Sequence, residues 1–238
     1  MKVFFVADGH LKGLDDPNQK SLVAFLSRIE PPDTLVILGD LFEFWTGSNK
    51  VAMSRYAPVL DALATLRKNG VRVIYLEGNH DFSIGKGALF ADTLGIEVHA
   101  DSFEFSLDGK RVFLSHGDIV SMSLGYALWR GFVRSGLCRF IVALLPDKTV
   151  WNAAMRLSRQ SRRNSYAEGA LDEGLKGFAI ERIRAGFDAI VMGHSHSPGV
   201  HRLDSLKPGA IYANTGSWAD HGNHLIYEAS GFRNERFG

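Results

Sequence analysis

Thr34-Leu35-Val36-Ile37-Leu38-Gly39-Asp40 is a run of β-branched and apolar residues that ends in a glycine and a carboxylate. Such a run, with no alternation of polar and apolar positions, predicts a strand buried on both faces, as in a sheet covered by helices. The same sentence recurs on either side of it. Residues 3–7 run into Asp8-Gly9-His10, and residues 71–76 into Gly78-Asn79-His80-Asp81. Further on, 111–114 meets Ser115-His116-Gly117-Asp118, 189–192 meets Gly193-His194-Ser195-His196, and 210–213 meets Asn214-Thr215-Gly216-Ser217. Helical spacing separates the first strands. Residues 19–29 place Leu22, Val23, Phe25, Leu26 and Ile29 on one side and are closed by Pro31-Pro32. Residues 56–68 carry Val59, Leu60, Leu63, Ala64 and Leu66 and close at Asn69-Gly70. The β-α-β-α-β order predicts an α/β layered domain. Segments 103–107 and 111–114, joined by Asp108-Gly109, predict a hairpin.

The 238 residues suffice for one domain with a large core, or a core with an insertion. Apolar residues at 45% and charged residues at 22% exclude a disordered chain. A net charge of +1 gives no global argument for nucleic acid, which is not expected as a partner. The single cysteine, Cys138, excludes an internal disulfide and a thiolate zinc site. The opening MKVFFVADGH reads as a buried strand rather than a signal peptide. Apolar runs fall well short of the roughly 20 residues of a spanning helix. A cytoplasmic location is expected, with peripheral contact to the inner membrane left open; the oligomeric state is not legible.

Residues 121–185 differ from the rest. They lack strand patterns, and 126–133, 137–144, 150–157 and 167–183 read as helices. The expectation is a helical insertion over the site at 121–185, leaving 1–120 and 186–238 as the core. Arg130, Arg134, Arg139, Lys148, Arg156, Arg159, Arg162 and Arg163 are interleaved there with Trp129, Phe132, Phe140, Ile141, Leu144, Leu145 and Trp151. Helices of this kind lie on anionic membranes, bind nucleic-acid backbones, or present an ordinary solvated face.

Ligands of open α/β sheets bind beyond the carboxyl ends of the strands, where this chain repeats Asp, His and Asn. Asp8, His10, Asp40, Asn79, His116, His194 and His196 offer oxygen and imidazole donors without thiolate, a set suited to Mn, Fe, Zn or Co. They exceed what one ion uses; two ions about 3.5–4 Å apart, sharing a carboxylate, would use them all. Asp40 and Asn79 can equally be read as helix caps.

Taken together, Asp8-Gly9-His10, Gly39-Asp40, Gly78-Asn79-His80-Asp81, His116-Gly117 and Gly193-His194-Ser195-His196 resemble the calcineurin-like metallophosphoesterases. The resemblance implies a four-layer α/β/β/α sandwich and two divalent ions, Mn²⁺ above all. Asp8, His10 and His196 would hold one with Asp40, and Asn79, His116 and His194 the other, with Asp40 as the bridge. Water activated between the ions would attack phosphorus in line. His80 would protonate the leaving oxygen or stabilise its charge, with Asp81 orienting its ring.

Residues 39–47, Gly78-Asn79-His80-Asp81-Phe82 followed by Gly85-Lys86, and His116-Gly117-Asp118 followed by Gly125-Tyr126 and Arg130 resemble a narrower family, the UDP-2,3-diacylglucosamine hydrolases. The helical segment falls where those enzymes carry a lipid-binding lid. What this implies is a pyrophosphatase that attacks the α-phosphorus of a nucleotide-linked lipid and yields UMP and the acylated glucosamine phosphate of lipid A synthesis. Asn79, His80, His194, Tyr126, Arg159, Ser161 and Arg162 are the expected substrate contacts. His80 stands where that family carries Arg. Its alternative is a soluble phosphodiesterase or nucleotide phosphatase of the same superfamily, and a non-catalytic metal-stabilised binding module is a further one.

Overall fold

The structure is a computed structural model that describes residues 1–45, 49–84, 89–120, 122–163 and 168–238, with side chains at 159–163 and 168 left aside. Two sheets form its centre. Strands β1 (Val3–Val6), β2 (Thr34–Leu38), β3 (Arg72–Leu76) and β4 (Glu97–His99) run parallel, and β10 (Asn223–Glu228) and β11 (Gly231–Arg236) extend the sheet beyond β1 in antiparallel sense. The second sheet has the order β5 (Ser102–Leu107), β6 (Lys110–Ser115), β7 (Ala189–Met192), β9 (Ile211–Asn214) and β8 (Gly199–Arg202). The expected hairpin is the antiparallel β5–β6 pair.

Period two explains how the sheets stack. Val3 and Phe5 of β1, with Val36, Leu38, Ile74 and Leu76, pack against Phe105, Val112, Leu114, Ala189 and Val191 of the second sheet. Their neighbours Val6, Leu35, Ile37, Val73 and Tyr75 face the other way, onto α1 (Pro17–Leu26) and α2 (Lys50–Lys68). On the far side, Phe113, Ile190, Met192 and Tyr212 meet Leu175, Ala179 and Ile183 of α6 (Glu168–Arg184). The layers are therefore α/β/β/α, and α6 is the fourth of them although it falls within the segment expected as an insertion.

Asp16 caps α1 through the Asn18 amide, and Asn49 caps α2 through the Ala52 amide. This starts α2 at Lys50, ahead of the apolar pattern that begins near Tyr56. In the chain, α3 (Leu124–Val133), α4 (Gly136–Leu144) and α5 (Asp147–Arg163) fall between β6 and α6. Val150, Trp151 and Ala154 of α5 are buried, whereas no residue of α3 or α4 is. Among the described residues no helix is long and apolar enough to cross a membrane.

Candidate active site

The parallel strands β1, β2, β3, β6 and β7 deliver their carboxyl-end turns to one region. Asp8, His10, Asp40, His194 and His196 all have positive φ, between 42° and 71°. Non-glycine residues avoid this region at a cost of roughly 1–3 kcal/mol each, a strain that concentrates at functional turns. The turns lock together through backbone bonds. Asp8 N–H donates to Gly39 O (3.1 Å), His10 N–H to Asp40 O (3.0 Å), and Gly193 N–H to His116 O (3.0 Å). Gly78 lets β2 and β3 approach: a Cβ there would stand 2.1 Å from Asp40 Oδ1.

Three groups of donor atoms result among the described residues. Asp8, His10 and His196 converge in the first; Asp40, His116 and His194 converge in the second; His10, Asp40 and His80 form a third that shares a residue with each of them. In the first, Asp8 Oδ1 lies 3.4 Å from His196 Nε2 and 3.9 Å from His10 Nε2. Asp8 Oδ2 accepts from the His194 amide at 2.8 Å. In the second, His116 Nδ1 faces Leu38 O at 2.7 Å, so Nδ1 carries the hydrogen. Its Nε2 then confronts His194 Nδ1 at 3.1 Å, Asn79 Oδ1 at 3.2 Å and Asp40 Oδ2 at 3.4 Å. All seven residues proposed from the sequence are brought to the first two groups.

Charge and burial prepare these atoms. Burial alone would raise the Asp8 carboxyl, but the close contact with His196 and the charges of His116 and His196 bring it below its usual range. Burial opposes ionisation of Asp40 too, and the charges of His116 and His80 outweigh it. Burial pushes His10 down to about 3, and burial with the His116 charge pushes His194 down to about 4, so both present neutral imidazoles at neutral pH. Burial would lower His116 as well, yet the Asp40 charge raises it well above its usual value.

A divalent cation fits this arrangement. One proton on His116 Nε2 can serve only one of the three acceptors around it, whereas a cation serves them all. Among the described residues Asp8 Oδ1 is buried without a hydrogen-bond partner, a state that costs about 1–3 kcal/mol when nothing is bound. The set of carboxylate and amide oxygens with imidazole nitrogens suits a first-row divalent metal.

A sequence model of the calcineurin-like phosphoesterase family matches residues 1–198. The chain belongs to this family. The phosphoesterase is 31% identical over 230 residues to the UDP-2,3-diacylglucosamine hydrolase of Aeromonas salmonicida, covering 95% of this chain and 89% of that one. It is likewise 31% identical over 235 residues to the protein of that name from Pseudomonas savastanoi pv. phaseolicola, covering 97% and 93%. The solved structure of an archaeal phosphodiesterase shares its fold, with a TM-score of 0.51, 14% identity and 99% of both chains covered. The phosphoesterase is thus a metal-dependent hydrolase.

Around the donor groups, this phosphoesterase departs from one expectation. Asp81 does not orient the His80 ring. Its Oδ1 accepts from the amides of Gly78 and Asp40, and its Oδ2 from the amides of Leu41 and Phe42 and from the Tyr75 hydroxyl. Burial and the Asp40 charge push it up to about 7, against the pull of these donors. Asp81 is thus the knot between the β2 and β3 turns. The His80 ring is held instead by Glu43 O, 3.0 Å from Nδ1, and by Ser158 Oγ of α5 at 3.3 Å. Ser158 in turn donates to the Glu43 carboxylate. The His80 ring meets His10 edge-on at a centroid distance of 4.8 Å.

Tyr126 donates its hydroxyl to Asp118 at 3.0 Å, so Asp118 braces α3 and lies outside the donor groups. Arg159, Ser161 and Arg162 lie outside the described side chains. Ser158 carried no motif, and although Glu43 lies within the 39–47 block, nothing in sequence linked either to His80, because their pairing spans 115 residues.

Removing metal should soften the fold measurably. An ion present at a hundredfold excess over its Kd adds about 2.7 kcal/mol, which for a chain of this length is about 5–10 °C per ion. Differential scanning fluorimetry of Mn²⁺-loaded against EDTA-treated protein should show at least that shift, reversed by adding Mn²⁺. Identical melting curves would contradict the assignment of these donors.

Proposed function

We propose that the phosphoesterase hydrolyses the pyrophosphate of a UDP-linked diacylated glucosamine, releasing UMP and the acylated sugar phosphate. The observation that carries this reading is a cavity of about 610 Å³ beside the donor groups, between α3, α4 and α5. Asn79 and His80 lie at its wall with Phe44, Phe82, Trp129, Phe132, Val133, Val142 and Leu157, and Lys50 and Arg139 supply positive charge. An apolar chamber of this size suits acyl chains, and the cations suit a pyrophosphate. A small soluble phosphodiester, the competing substrate, would leave the chamber unused. Helices α3 to α5 thus act as the lid, and the insertion narrows to 121–163, because α6 belongs to the sandwich.

Two divalent ions, Mn²⁺ in our reading, would be held by Asp8, His10 and His196 and by Asn79, His116 and His194, with Asp40 common to both. When bound, such a pair lowers the pKa of water and neutralises phosphoryl oxygens. The chain's own residues do the remainder. Asn79 and His194 face the phosphoryl group, and His80, its ring fixed by Glu43 and Ser158, supplies a proton to the departing oxygen. The lid arranges the lipid, and its apolar interior excludes water from the acyl chains.

Leu124, Leu128, Leu137, Phe140, Ile141 and Leu144 are exposed on α3 and α4 and do not line the cavity. Such an apolar surface is suited to the cytoplasmic surface of an anionic inner membrane, where the substrate's acyl chains reside.

One assay tests the reading. With Mn²⁺ and UDP-2,3-diacylglucosamine in mixed micelles, UMP should be released, and His80→Ala should lower kcat by about 10²–10⁴-fold. Turnover of cyclic nucleotides or diadenosine polyphosphates without UMP release would favour the soluble-substrate alternative. Failure to sediment with phosphatidylglycerol vesicles would remove the membrane contact alone.

A further inference from the structure

Arg130 and Arg134 stand four residues apart at the end of α3, with Arg134 as its C-cap, so both side chains leave the same helical face. Each reaches across the lid boundary to a turn that carries a metal donor. Arg134 Nη2 donates to Gly78 O at 2.9 Å, and its Nη1 to Glu77 Oε2 at 3.1 Å and Ala100 O at 3.3 Å. The Gly78 carbonyl belongs to the peptide bond that leads into Asn79. Arg130 Nε donates to Asp118 Oδ2 at 3.2 Å, two residues beyond His116. One helix therefore holds the Gly78 carbonyl on one side of the Asn79–His116 contact and the Asp118 carboxylate on the other.

Gly78 needs an outside restraint. Lacking a Cβ, its backbone samples more conformations than any other residue, and its lack of one is required by the closeness of Asp40 Oδ1. Its N–H is held by Asp81 at 3.0 Å; its carbonyl is held by Arg134. Among the described residues, these two bonds fix the two peptide planes on either side of Gly78.

We propose that Arg134 is a positioning residue for the second donor group: by fixing the Gly78–Asn79 peptide it aims the Asn79 amide oxygen at the point that His116 and His194 share. The lid is then part of the metal scaffold as well as a cover for the substrate. The proposal rests on the reading that Asn79, His116 and His194 hold a divalent ion. A guanidinium is suited to this task because its fixed fork serves Glu77 and Gly78 O together, which a lysine ammonium on a flexible stem does not. Residues that orient metal ligands without touching the metal commonly change affinity by about 10–100-fold.

The test uses the full chain with Arg134→Lys and Arg134→Gln. Free Mn²⁺ is followed by EPR during titration of the metal-free proteins, and their melting midpoints are recorded. Lysine keeps a charge for Glu77, so the metal-free midpoint should move by no more than about 8 °C, the size of the two lost bonds to Gly78 O and Ala100 O in a chain of this length. Both variants should bind one Mn²⁺ as the wild type does and a second roughly 10–100-fold more weakly. Wild-type affinity at both sites in both variants would overturn the proposal. So would equal weakening of both sites, or loss of the fold in the metal-free variants, either of which would mark Arg134 as structural only. A wild-type chain that binds no Mn²⁺ at all would overturn the metal reading itself, which separates that failure from this one.

Discussion

Replacing Asp40 with alanine should abolish hydrolysis, with kcat/KM falling at least about a thousandfold, some 4 kcal/mol of transition-state stabilisation. The size of the effect follows from where the side chain stands. Asp40 Oδ2 is 3.4 Å from His116 Nε2, and Asp40 also groups with His10 and His80. Its carboxylate is ionised because the charges of His116 and His80 offset its burial. Loss of that charge should weaken both metal sites, whereas Asn79→Ala should weaken one. Counting bound Mn²⁺ by atomic emission after desalting separates these outcomes: two ions in the wild type, one in Asn79→Ala, fewer than one in Asp40→Ala. Asp40→Asn sharpens the comparison, because it keeps an oxygen for the His80 amide, now 2.8 Å from Asp40 Oδ1, while removing the charge. If Asp40→Asn kept both ions and full turnover, Asp40 would not be the shared ligand.

Much of the architecture was written locally. Residues 34–38 and 189–192 are strands to the residue, because each is an unbroken apolar run with glycine at its exit, and such runs have nowhere stable to go except between two layers. What was illegible was set by distance. Gly199–Arg202 at a sheet edge carries half-exposed and exposed residues, so no apolar pattern announces it. The short Glu97–His99 strand is only partly buried and exists because β3 offers it hydrogen bonds. The helix Glu168–Arg184 looked like the others around it; only its contacts with Phe113 and Ile190 assign it to the sandwich.

The same division runs through the site. The donors were legible because strand-end turns collect side chains in one place whatever the intervening sequence does. The partners of His80 were not. Its neighbour in sequence, Asp81, was the natural candidate to hold its ring, yet successive residues in a tight turn point apart, and the ring went to Glu43 and to Ser158 of α5. Asp81 turned inward, where four amides and a phenol were waiting.

That inward turn makes Asp81 the residue whose loss should damage the fold most. Asp81→Ala strips the acceptor from the amides of Gly78, Asp40, Leu41 and Phe42 and from the Tyr75 hydroxyl. The site is fully buried, so water cannot replace the carboxylate without opening the turns. Each stranded buried donor costs about 1–3 kcal/mol; allowing for relaxation and non-additivity, the variant should lose at least about 4 kcal/mol, or about 8–16 °C in melting temperature. Asp81→Asn should fall between the two, because it keeps one acceptor oxygen but turns an NH₂ toward amide donors. Thermal melts of metal-free protein isolate the effect from metal binding. A metal-free Asp81→Ala that melts within about 2 °C of the wild type, less than 1 kcal/mol in a chain of this length, would show that the two turns hold without it. The knot would then have to be sought in the backbone bonds from Asp8 to Gly39 and from His10 to Asp40.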